Sequence, residues 1–273
     1  MEELANLMSA DKGGAGGTCW YTPEGVPRYD VSLLEARELG LLPGAVVVSK
    51  ILANPGFVAR SITGALACYH RMVRSSCERQ QAEETNYLFL NRVAQTYWKE
   101  GVRAVNRDGL NRKALTGYLN SGNIDPDIPP DASVSLGYEW IDNHLTVNSP
   151  EVQTETVVVN LAEGYAGKVD YYGPYNGGEK VIIGIKSCKV QSEPSFCMAD
   201  VMQLSACAET IRLKYKLPDN PPVVSLIVST TDREPGVYAY RWSREEQDQA
   251  LVLLQLCLAA WRLLNKFPYT IKG

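Results

Sequence analysis

Three strand patterns in a row, separated by short turns, constrain this chain most. They are "TETVVVNL" from Thr154, "YAGKVDYYG" from Tyr165 and "KVIIGIKSC" from Lys180. Each alternates or runs apolar with β-branched and aromatic residues, and turn formers bound each one. An antiparallel meander is the arrangement such spacing predicts. Alternation puts Val169 and Asp170 on opposite faces of their strand, and sets Ile182, Gly184 and Lys186 on one face, opposite Ile183 and Ile185. An acid, Asp170, and an amine, Lys186, thus fall on neighbouring strands, where they can approach each other.

The elements around the meander set the fold class. Helical patterns are expected at Ser32 to Leu39, at Phe57 to Trp98 with a break, at Leu110 to Leu119, and from about Ser133 to Leu145. The turn-rich stretch "NSGNIDPDIPPD", Asn120 to Asp131, reads as a surface loop. After the meander come a helix from about Ala199 to Lys214 and strands at Val223 to Ser229 and Val237 to Tyr240. A last helix opens at Ser243, whose hydroxyl can cap the backbone while Glu246 reaches back. The whole reads as a single α/β (α+β) domain over 1–273, with a mixed central sheet flanked by helices. Within it, 1–28 forms a Gly-rich irregular arm, 29–150 is mainly helical, and 151–273 holds the sheet core and closing helix.

Charge and cysteine content narrow the function classes. With 27 Lys and Arg against 31 Asp and Glu, a net charge of −4 gives no global basic field, so any nucleic-acid contact must be local. Seven cysteines without a CxxC pair suit a reduced, cytoplasmic protein and match no zinc or iron–sulfur spacing. No stretch at the start reads as a signal peptide. The apolar run Ala250 to Leu264 is too short to span a bilayer and reads as a buried helix, so no membrane association is expected.

The order of motifs resembles the PD-(D/E)XK nuclease superfamily, in its RecB-like and phage-type exonuclease branch. "GYAGKVD…VIIGIK" is similar to that family's G-x-x-D strand followed by acid-x-Lys. "LLPGAVVVSKILANPGF" resembles its lead-in, and His70 in "ACYHRMV" its helix histidine. "MADVMQLSACAE" is similar to its Q-x-x-x-Y helix, and "ALVLLQLCLAAWRLLNKF" to its closing helix. The likeness runs over about residues 42 to 266 in the family's order and implies a restriction-endonuclease-like core.

What the resemblance implies is a metal-dependent DNA exonuclease of recombination or repair, in a bacterial or phage-infected cell. Asp170 would be the central ligand of Mg²⁺ or Mn²⁺, with His70 and Glu155 completing the shell and the Ile185 backbone beside it. Lys186 would stabilise developing phosphate charge, and Gln203 would bond near Lys186 or a DNA phosphate. Arg71 and Arg74 beside His70, and a second group at Arg103, Arg107, Arg112 and Lys113, are expected to grip phosphates. A homo-oligomer or a recombination partner protein is a further expectation.

Two departures stand out. Gly184 takes the slot of the family's second acid, and Cys207 takes that of the motif tyrosine. A strand-interior glycine costs entropy and packs nothing, so the slot reads as a decayed site, a replaced residue, or one served by Glu155 or Glu193. The alternatives to the exonuclease are a catalytically inactive DNA- or protein-binding member of the same fold, and an unrelated α/β protein whose hairpin imitates the motif. Each residue also has an ordinary reading: Asp170 before a turn, Lys186 as a solvated strand end, His70 as a satisfied helix residue.

Overall fold

The computed structural model describes residues 19–29, 31–49, 72, 86–128, 132–190, 194–231 and 235–267. The chain divides into two compact units, Leu52–Arg107 and a larger one of Met1–Ile51 with Asp108–Gly273. In the smaller unit, Met72, Phe89 and Val93 form an apolar cluster.

The larger unit is built on five strands, β4 (Gln153–Asn160), β5 (Tyr165–Pro174), β6 (Lys180–Cys188), β7 (Val223–Ser229) and β8 (Gly236–Arg241), in that spatial order. β4, β5 and β6 form the expected antiparallel meander. β7 then joins β6 in parallel after a helical crossover, and β8 returns antiparallel. The parallel pair is central and buried; all seven residues of β7 are apolar or small and inaccessible. Helices cover both faces, so the mixed α/β class expected from the strand and helix order is the one observed.

One face carries α4 (Met198–Tyr215) and α5 (Arg244–Leu264), packed on Tyr165, Val169, Tyr172 and Ile182. α5 opens as expected on a capping box, in which Ser243 accepts from Glu246 N–H while Glu246 accepts from Ser243 N–H at 2.7 Å. It is buried only on one side: Leu254, Leu258 and Trp261 pack inward, whereas Val252, Leu256 and Leu263 are exposed. Among the described residues no helix is long and apolar enough to cross a membrane.

The other face carries α3 (Ala132–His144) and the C-terminal part of α2 (Asn86–Ser121), packed on Tyr171, Ile183, Ile185, Leu226 and Val228. The helix expected at Leu110 to Leu119 is therefore not separate. No proline or turn cluster interrupts 86–121, and the helix runs through 36 residues, of which 86–107 belong to the smaller unit and 108–121 to the larger. The rest of the expected Phe57 to Trp98 helix lies outside the described residues, apart from 72 and 86–98.

Of the expected arm only 19–28 fall among the described residues, and they join 31–43 in small elements ahead of the sheet core. β1 (Trp20–Tyr21) pairs with β2 (Pro27–Arg28) and with β3 (Leu42–Pro43), and α1 (Leu33–Glu38) lies between them, capped by Ser32. Trp20 anchors these elements: it is buried, stacks on Phe267 and lies 5.8 Å from the Trp261 ring.

Candidate functional site

β5 and β6 hold backbone pairing from Pro174–Lys180 to Tyr171–Ile183 and no further. Asp170 stands where they part. Side-chain alternation breaks there, because Tyr165 and Val169 face α4 while Tyr171 faces the α2–α3 side and Tyr172 faces α4 again. The Asp170 side chain bridges the gap instead of pointing to a face. Its Oδ2 accepts the Ile185 N–H at 2.8 Å, doing the work of the missing strand acceptor.

Its other oxygen, Oδ1, accepts from Arg112 on α2, at 3.2 Å from Nε and in a shorter bond from Nη2. Asp170 is 4 % exposed, so an unpaired charge there would be costly, and the guanidinium removes that cost. Burial works to lower the Arg112 pKa, yet the charge and hydrogen bonds of Asp170, helped by Glu155, outweigh it and raise the pKa. Arg112, grouped in the sequence with phosphate-gripping residues, commits its guanidinium to an acid of its own chain.

Glu155 falls opposite Asp170, between the pairs Thr154–Tyr171 and Thr156–Val169. It has a positive φ of 49° and its carboxylate accepts from Lys168 at 2.6 Å. Two acids and two cations from α2, β4 and β5 thus form one local group.

Lys186 lies on the α4 side, as alternation predicts, but does not pair with Asp170. It forms an ion pair with Asp200, in the first turn of α4, and its Nζ is 3.9 Å from the exposed Cys197 Sγ. Asp200 was not singled out from the sequence; an acid in the first turn of the helix that follows the lysine strand was the available signal. Gln203 is half-buried one turn further along α4. His70, Arg71 and Arg74 lie outside the described residues, as does Glu193. Among the described residues no group of three or more His, Cys, Asp or Glu side chains is gathered as a metal site.

The two departures from the motif have a common packing cause. A Cβ at position 184 would stand 2.7 Å from Leu204 Cδ2, and one at Gly167 would stand 2.5 Å from Cys207 Sγ. Both contacts come from α4, so the glycines let that helix lie directly on β5 and β6. Gly184 is therefore occupied space for Leu204 rather than an open slot, and Cys207, wholly buried with its thiol pushed up to about 12 by desolvation, fits the hollow left by Gly167.

No known protein family matches the sequence, and no curated protein matches it. Among solved structures the chain is similar to one described as "Putative exonuclease" from Eubacterium rectale, at 12 % identity and a TM-score of 0.35, over 70 % of this chain and 71 % of that one.

Proposed function

We propose that this chain is a DNA-binding protein built on a nuclease-type core, in which the phosphodiester-cleaving centre is closed. The DNA part of this reading is supported by the motif order over residues 42 to 266, and by a sheet whose meander, parallel crossover and return strand fall where that order requires them. The closed centre is supported by one observation above the rest. Leu204 fills the space over Gly184, where a second acid would have to stand. A single acid neutralised by an arginine attracts a divalent cation weakly, and without that cation no water at the site is activated for attack on phosphorus.

A second reading, a metal-dependent exonuclease served by Glu155, has its own support. Glu155 stands across from Asp170, and its charge reaches Arg112. End-labelled linear DNA incubated with Mg²⁺ or Mn²⁺ separates the two, alongside a binding titration of the same DNA at rising salt. The closed-centre reading expects salt-sensitive binding without shortened products. Metal-dependent cleavage that Asp170→Asn abolishes would establish the second reading in its place.

A further inference from the structure

We propose that Arg112 is the resident counter-cation of Asp170, so that the folded chain neutralises this acid from within and takes up no divalent cation there. The inference deepens the closed-centre reading and rests on it.

The charge balance of the site carries the argument. A buried carboxylate at the end of a paired strand segment requires a positive partner, and a divalent cation or a guanidinium can fill that role. Here both oxygens are spoken for. Oδ2 faces the Ile185 amide, and Oδ1 receives two guanidinium nitrogens. A cation at Oδ1 would have to displace Arg112 and would then sit beside its guanidinium, and Glu155, the described acid whose charge reaches that guanidinium, is already paired with Lys168. Among the other described acids, Asp200 is paired with Lys186 through one oxygen, and position 184 carries no acid and is crowded by Leu204. The described residues around Asp170 therefore do not fit the metal that the motif resemblance implies, and they do fit a protein whose arginine does the neutralising.

The geometry also makes Arg112 an element of assembly. It reaches from α2 across to β5, so a single charge pair fixes the helix against the strand end where β5 leaves β6. Removing the arginine strands a buried charge, whereas removing both partners strands nothing.

The test uses thermal melts of the full chain as wild type, Arg112→Gln, Asp170→Asn and the double variant, each with EDTA and with millimolar Mn²⁺. Arg112→Gln is expected to lower the melting temperature by roughly 5 °C, and by much less when Asp170→Asn is already present. Wild type is expected to melt at the same temperature with and without Mn²⁺, since a ligand stabilises only what it binds. A saturable Mn²⁺ stabilisation of wild type that Asp170→Asn removes would overturn the proposal. Equal losses from Arg112→Gln in the presence and absence of Asp170 would overturn it too. The outcome is independent of DNA: a chain that binds DNA yet takes up Mn²⁺ defeats this inference and the closed centre while DNA binding stands, and one that ignores both defeats the DNA reading alone.

Discussion

Position 184 shows how one atom decides what a site can be. Leu204 Cδ2 lies where a β-carbon would come within 2.7 Å, and Leu204 is itself buried in the main core. Adding a methyl there forces the leucine out of its rotamer or lifts α4, an overpacking cost of about 1–3 kcal/mol. Gly184→Ala should lower stability by that amount in denaturant melts. In a Leu204→Ala background the same change should cost almost nothing, because the new methyl enters the hollow left by the leucine. Equal costs in the two backgrounds would show that Leu204 is not the obstacle. The same reasoning sets the expectation for Gly184→Asp, which should destabilise the fold until Leu204 is trimmed. The glycine was legible in the sequence as an anomaly, but its cause was not, since the contact that explains it comes from a residue 20 positions away on a different element. Asp170 and Lys186 lie on adjacent strands, as the hairpin spacing predicts, although alternation breaks at Asp170. Their ion-pair partners are not legible in the sequence, because pairing depends on which helices cover each face.

At the scale of elements, local signals were read where they are strong. The Ser243 to Glu246 capping box is present at the start of α5, and Ser32 with Glu35 repeats it at α1. In each, hydrogen bonds hold the glutamate pKa below its ordinary value of 4.5; for Glu246 the largest cause is the Ser243 backbone N–H, then its side chain. A depressed folded pKa contributes stability above the unfolded value and loses it as pH falls through the folded one. Melting temperature should therefore drop as pH goes below about 4.5, and Glu246→Gln, which removes the titrating carboxylate, should flatten that slope, while Ser243→Ala, which keeps the backbone N–H, should cost about 1 kcal/mol at neutral pH. An unchanged slope in Glu246→Gln would mean that acid sensitivity comes from other carboxylates. Long elements are less legible. No proline stops the helix between 86 and 121, yet its weak apolar periodicity predicts two separate helices, and the continuous helix carries Leu115 and Leu119 onto the sheet.

At the scale of the whole molecule, the first and last described stretches of the larger unit meet in one aromatic cluster, although Trp20 stands 241 positions from Trp261 (261 − 20) and 247 from Phe267 (267 − 20). Composition alone cannot register an anchor such as Trp20, whose partners are Trp261 and Phe267. Trp20 also donates its Nε1–H to the Val31 carbonyl at 3.1 Å, so its only polar side-chain atom is satisfied. Such an anchor acts like a clasp, tying β1 and the small sheet to α5. Truncating a fully buried tryptophan costs about 3–5 kcal/mol. For a unit of this size that corresponds to a fall of roughly 10 °C in melting temperature for Trp20→Ala. Trp261→Ala should cost nearly as much alone, and the double variant should cost less than the sum, because each ring loses a shared partner only once. Fully additive losses would show that the two rings stabilise the molecule separately, and that the arm is held by β1 pairing rather than by the closing helix.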